Sequence, residues 1–203
     1  MQVETVLVDN SFLPIVLDFR DVLEKISDDE FENFCRHNPD VELELTEEGE
    51  LVIMPPTGGE TGIRNFTLIG NFFNWLEKDK SGVGFDSSTV FKLPNGAKRS
   101  PDLAWITNER WENLTDVEQE KFPSLCPDFV VELRSPSDSL VNLQNKMKEY
   151  IENGAALGWL IDPLEKKVHV YRPNTETKIL DDPKQVSGEP LLKGFTLNAR
   201  KLW

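Results

Sequence analysis

Glu132 is the residue in this sequence that most demands a chemical explanation. It interrupts the apolar run Phe129-Val130-Val131-Glu132-Leu133. A charge inside such a run is costly to bury unless it is paired or binds a metal. Two readings follow: a strand-end carboxylate paired with an arginine such as Arg99, or a metal-ligating carboxylate. The second needs another carboxylate within a few ångströms, because a hard divalent cation prefers several oxygens. Asp102 is the best candidate. It follows Pro101 and opens the apolar segment Leu103-Ala104-Trp105-Ile106. If the two strands are neighbours, both carboxylates converge on one edge of a sheet. The Pro-Asp pair itself is weak evidence, since it recurs at Asp40 and Asp128. Asp102 is preferred because a hairpin leads into it and apolar residues follow it.

Glu60, at the start of a long helical pattern, is a third candidate oxygen donor, with helix capping and dipole compensation as its alternative role. Two cations come next. Arg134 lies two positions beyond Glu132 and so shares its strand face. Lys146 lies on the following helix, beside the face carrying Leu140, Leu143, Met147 and Ile151, from where it reaches the sheet edge. Its alternative is an ordinary surface lysine, which is also the expectation for Lys148. Other chemistries find little support. His37 and His169 sit in an acidic lead-in and a late hairpin, away from any Ser or Cys partner. There is no phosphate-binding glycine motif and no Cys/His zinc cluster.

The elements that must position these residues are legible as patterns. Ser27-Asp28-Asp29-Glu30 resembles a capping box before an amphipathic helix with Phe31, Phe34 and Cys35. Val41–Leu45 and the stretch around Leu51 and Ile53 alternate with period two about Gly49, which predicts a hairpin. Pro55-Pro56-Thr57-Gly58-Gly59 breaks the chain. A helix follows over about 60–78, and its apolar residues cover so wide an arc that two covered sides are expected. Residues 83–93 read as extended, Pro94-Asn95-Gly96 as a turn, and 99–106 as the second strand of that hairpin. The polar segment 107–127 reads as a helical or loop insertion. Phe129–Leu133 is a strand buried on both faces. Ser135-Pro136-Ser137-Asp138 leads into the helix that Gly154 ends, and 157–161 is the next strand. Asp162-Pro163 turns the chain into a strand over 168–171, and an apolar tail with Phe195, Leu197, Leu202 and Trp203 docks on the body. The order over 60–161 is α-β-β-β-α-β, a mixed α/β sheet flanked by helices. Residues 1–54 are expected to form an acidic α+β lead-in packed on a 55–203 core, together one structural domain.

The chain carries a formal charge of −14 over 203 residues. Residues 1–50 hold fifteen acids and three bases, so −12 of that total falls in the lead-in and −2 in the remainder. An acidic surface repels polyanions and argues against a large nucleic-acid footprint. The basic cluster expected near the site is Lys92, Lys98, Arg99 and Arg110, enough for a few phosphates. No apolar run is long enough for a membrane helix. The opening MQVETVLVDN lacks the basic and apolar parts of a secretory signal, and Cys35 and Cys126 form no disulfide framework. A cytoplasmic location is the expectation.

Pro101-Asp102 followed by Glu132-Leu133-Arg134, on an α-β-β-β-α-β order, resembles the PD-(D/E)XK nuclease superfamily. The strings PDFVVELRSPSD, LQNKMKEYIENGAALGWLIDP, GELVIMPPTGGETG and GFTLNARKLW are similar to the Uma-type family of bacterial endonucleases, over roughly residues 25–203. The resemblance implies a restriction-endonuclease-like fold and cleavage of DNA phosphodiesters with Mg²⁺ or Mn²⁺. It implies Asp102, Glu132 and the Leu133 carbonyl as metal ligands, with Glu60 matching a helix glutamate. One departure stands out: the superfamily's strand lysine is replaced by Arg134, which stays protonated and cannot act as a base. Lys146 matches the lysine of a K-x-x-x-Tyr-x-x-x-Gly string, with Tyr150 and Gly154. Lys146 is thus expected to orient the attacking water and Arg134 to contact a phosphate oxygen. The expected partners are DNA, bound weakly and salt-sensitively, and a second copy in a homodimer. Two alternatives stay open: a nuclease-fold interaction protein with weakened catalysis, and a metal-dependent hydrolase of a small phosphoester.

Overall fold

The computed structural model describes residues 15–18 and 26–203. Expectations for the rest of the lead-in lie outside the described residues. Among these residues thirteen strands and five α-helices follow in chain order. First come β1 (Ile15–Asp18) and α1 (Asp28–His37). The capping box at α1 is formed: Ser27 Oγ accepts the Glu30 N–H at 3.3 Å, and Glu30 Oε2 accepts the Ser27 N–H at 2.8 Å. The predicted hairpin is β2 (Glu42–Leu45) with β3 (Glu50–Met54). Its turn ends at Gly49, whose φ of +91° favours glycine.

The break at Pro55-Pro56 is followed by α2 (Gly59–Asp79) and then β4 (Gly82–Asp86). Next come the short strands β5 (Phe91–Lys92) and β6 (Lys98–Arg99), then β7 (Leu103–Thr107). The insertion contains α3 (Asn108–Glu112) and α4 (Asp116–Glu120). The remaining elements are β8 (Phe129–Leu133), α5 (Leu140–Glu152), β9 (Leu157–Asp162), β10 (Lys167–Tyr171), β11 (Lys178–Asp181), β12 (Gln185–Ser187) and β13 (Thr196–Asn198).

Six strands make the central sheet, in the order β11-β10-β9-β8-β7-β4. The β8–β9 pair is parallel and the helix α5 crosses between its strands, as the sequence predicts. The neighbouring pairs are antiparallel. Leaving aside the β5–β6 hairpin and the α3–α4 insertion, α2-β4-β7-β8-α5-β9 reproduces the expected α-β-β-β-α-β order. A second sheet, β1-β3-β2-β6-β5, combines strands from before and after Pro55, so the lead-in is built into the body.

Period-two alternation sorts the central sheet into two faces. Phe129, Val131, Leu133, Trp159 and Ile161 pack towards α2 and the C-terminal tail, where Phe195, Leu197 and Leu202 are buried as expected. Val130, Ala104 and Leu160 pack towards α5, against Met147 and Tyr150.

Two expectations need correction. The strand predicted over 99–106 is two strands in two sheets. β6 pairs with β5 and β2, whereas β7 pairs with β4 and β8. Pro101 has no N–H to continue a ladder, and Ser100 turns its N–H onto Glu44 Oε1 at 2.8 Å. The helix α2 is covered on one face only: Leu68 and Phe72 are buried, but Ile63, Phe66 and Phe73 are 68 %, 82 % and 56 % exposed.

Candidate active site

The break at Ser100-Pro101 sets the site. β7 begins immediately after Asp102, and Leu103 pairs with Val131 on β8 in antiparallel register. One step outward on each strand are Asp102 and Glu132, which therefore oppose each other on the same face. That face is the one α5 covers. Lys146 and Tyr150, one helical turn apart, both reach Glu132: Lys146 Nζ lies 2.9 Å from its Oε1, and the Tyr150 hydroxyl donates to the same oxygen at 3.0 Å. The Glu132 Oε2 takes no hydrogen bond from the described residues.

Asp102 is held by two donors. The Leu133 N–H reaches Oδ2 at 2.7 Å, and the Asn65 amide reaches Oδ1 at 3.3 Å from the second turn of α2. Asn65 Oδ1 is itself buried with no hydrogen-bond partner. The second sheet contributes Glu44, only 3 % exposed. Its Oε1 lies 2.7 Å from Lys146 Nζ and its Oε2 3.3 Å from Arg99 Nη1; Arg99 Nε in turn lies 2.6 Å from Glu149 Oε2.

These contacts and burial set the protonation. Burial pushes the Asp102 carboxyl up to about 6, against the opposing pull of the Leu133 N–H and Lys146. Burial also raises Glu132; Lys146 opposes this, while Asp102 and Glu44 add to it. For Glu44, Lys146 and Arg99 outweigh burial, so it lies below its ordinary value. Burial disfavours the Lys146 ammonium, but Glu132 and Glu44 more than compensate and hold it above its ordinary value. Lys146 is thus a fixed cation rather than a base.

Asp102, Glu132, Leu133, Lys146, Glu44 and Asn65 all line a pocket of about 810 Å³. Its wall carries seven carboxylates against three basic side chains, a balance that disfavours a bare anion. Among the described residues no group of three His, Cys, Asp or Glu side chains is arranged to hold a metal. The donor set is instead two carboxylates and an orphaned amide oxygen. It fits a hard ion such as Mg²⁺, which uses one or two carboxylates and keeps several waters.

The expected residues are not all brought together. Asp102, Glu132, Leu133 and Lys146 meet. Glu60 does not join them: its side chain is 86 % exposed and pairs with Arg64 at 3.4 Å, one turn along α2. Arg134 lies past the end of β8 and does not line the pocket. Its Nη1 is 2.7 Å from the fully buried Asp162, and its Nε donates to the Asp138 carbonyl at 3.4 Å. Arg99 pairs with Glu44 and Glu149, not with Glu132. The expected basic cluster is already neutralised: Lys98 and Lys92 pair with Asp28, Lys92 also with Glu32, and Arg110 with Asp128. Glu44 and Asn65 are the residues that sequence reasoning missed. The alternation of β2 assigns Glu44 to the solvent face, and only its second sheet neighbours reveal otherwise.

A fold of this kind, with two carboxylates at the edge of a mixed sheet, is restriction-endonuclease-like. The Uma2 family, described as "Putative restriction endonuclease", matches residues 28–200, and the chain belongs to that family. A solved structure described as "a putative nuclease belonging to DUF820 from Anabaena variabilis ATCC 29413" has the same fold, with a TM-score of 0.68. It is 21 % identical, over 79 % of this chain and 88 % of that one. No curated protein matches the sequence.

Proposed function

We propose that this protein is a divalent-metal-dependent endonuclease that hydrolyses DNA phosphodiester bonds. The observation that carries the reading is the opposition of Asp102 and Glu132 across β7 and β8, with the Lys146 ammonium 2.9 Å from Glu132. Asp102, Glu132 and the Leu133 carbonyl are the groups to hold Mg²⁺ or Mn²⁺, with the unpartnered Asn65 Oδ1 on the amide that donates to Asp102. When bound, such an ion polarises a phosphoryl oxygen and lowers the pKa of a water.

The chain's own residues do the rest. The Leu133 N–H and the Asn65 amide fix the rotamer of Asp102. An ammonium has three N–H bonds, and Lys146 engages two carboxylates, which leaves one to orient a water or a non-bridging phosphate oxygen. Arg134 supports the strand end through Asp162, outside the pocket. The test is nicking of supercoiled plasmid in Mg²⁺ or Mn²⁺ by the wild type and by Asp102→Ala. Nicking by the wild type alone supports the reading; equal rates overturn it.

The neutralised basic cluster favours one second reading, hydrolysis of a small phosphoester, which needs no extended cationic surface. An aryl phosphodiester cleaved by a wild type that leaves plasmid and oligonucleotides intact supports this second reading instead.

A further inference from the structure

The ion-paired groups at the site carry an excess of negative charge. Glu44, Asp102, Glu132 and Glu149 form a continuous set with only two cations, Arg99 and Lys146. Arg99 joins Glu44 to Glu149, Lys146 joins Glu44 to Glu132, and Asp102 opposes Glu132. Four negative charges against two positive leave a formal −2, which one divalent ion cancels. Two further acids that line the pocket, Glu42 and Asp138, lie outside this ion-paired set. Glu42 is exposed, and Asp138 uses its carboxylate to accept the Ser135 N–H at 2.7 Å.

The second observation is where the Lys146 ammonium sits. It bridges a carboxylate from β2 and one from β8 at 2.7 and 2.9 Å, with its side chain only 11 % exposed. A cation shared by two carboxylates is placed as a bridging divalent ion would be, on the same face of the sheet as the Asp102 carboxylate. Glu44 belongs to the sheet outside the α-β-β-β-α-β core, and it makes three contacts that immobilise it: Lys146, Arg99 and the Ser100 N–H at 2.8 Å.

We infer that Lys146 is a built-in cation standing in the place of a second metal ion, held there by Glu44 as a positioning residue, so that the site takes one divalent ion and not two. This rests on the metal-dependent reading above and deepens it. Removing the ammonium frees Glu44 Oε1 and Glu132 Oε1 to ligate a second ion. Replacing the Glu44 carboxylate with a neutral amide as well removes the charge that would hold it.

Titration calorimetry of the full chain with Mn²⁺ counts the ions directly, and the Mn²⁺ paramagnetic resonance spectrum reports whether two of them are spin-coupled. The expected results are one ion in the wild type, two coupled ions in Lys146→Met, and one again in Lys146→Met with Glu44→Gln. Two ions per wild-type chain, or one in Lys146→Met, overturns this inference and leaves the metal-dependent reading intact. A wild type that binds no Mn²⁺ overturns both. Should Lys146→Met not fold on its own, the wild-type count and the charge-compensated double variant still decide: a second ion in either one contradicts the inference.

Discussion

At the scale of single residues, burial does to Asp102 and Glu132 what a metal site needs undone. Both carboxyls are raised, so protons compete with any cation for their oxygens. The sign follows from the direction. A folded-state value of about 6 for Asp102, above its ordinary 3.8, means that the protonated form is favoured by the fold. That contribution is complete below the ordinary value and is lost as the pH rises through about 6. Without metal, unfolding by urea is predicted to show this loss, on the order of 3 kcal/mol between acidic and mildly alkaline pH from Asp102. Excess Mn²⁺ is predicted to restore stability at the alkaline end, and Mn²⁺ affinity to rise over the same interval. A metal-free protein whose stability is flat through that range contradicts the assignment. Arg134 belongs with the structure rather than the chemistry. Arg134→Met strands the buried Asp162 and is predicted to cost about 3–5 kcal/mol in urea unfolding while leaving Mn²⁺ affinity unchanged. Sequence reasoning could reach Asp102, Glu132 and Lys146, because a charge inside an apolar run and a lysine beside an apolar helix face are local signals. It could not reach Glu44 or Asn65. Their importance comes from a sheet–sheet contact and from which turn of α2 faces Asp102, and neither is encoded within a few neighbouring residues. For the same reason Glu60, plausible by its position at a helix start, ends in solvent.

At the scale of elements, the site depends on three pieces meeting: the β7–β8 pair, the crossover helix α5 and the β2–β6 edge of the second sheet. Arg99 ties the last two together through Glu44 and Glu149, and it is largely buried. Arg99→Met leaves Glu149 without a cation and Glu44 with Lys146 alone, and the predicted cost is about 3–5 kcal/mol by denaturant unfolding. A loss within experimental error there shows that the second sheet is a passive neighbour. The crossover was legible, since an apolar strand, an amphipathic helix ended by a glycine, and a second apolar strand have few other solutions. The division of 98–107 between two sheets was not. Ser100-Pro101-Asp102 weakens the strand pattern, but which sheet each half joins is set by contacts distant in sequence, such as the Glu44 bond to Ser100 N–H. Amphipathicity also misled for α2: Ile63, Phe66 and Phe73 widen its apolar arc, yet the sheet and the C-terminal tail cover one side.

At the scale of the whole molecule, most of the −14 charge belongs to the first fifty residues, and part of that acid is used internally. Asp28 and Glu32 of α1 neutralise Lys92 and Lys98, which net-charge arithmetic alone had left available to phosphates. No helix among the described residues is long and apolar enough to cross a membrane. Among the described residues, Lys92, Lys98 and Arg110 are each paired with an acid. DNA binding is therefore predicted to be weak, with a slope of log affinity against log salt on the order of −2, the contribution of two or three phosphates. A fluorescence-anisotropy salt series measures it, and binding indifferent to salt contradicts a DNA role. The most direct measurement for the account is an anomalous difference map, at the manganese edge, from a crystal soaked in Mn²⁺. The account predicts a peak in contact with the carboxylates of both Asp102 and Glu132, beside the Lys146 ammonium. A fully soaked crystal with no peak there, or with manganese bound only elsewhere, contradicts it.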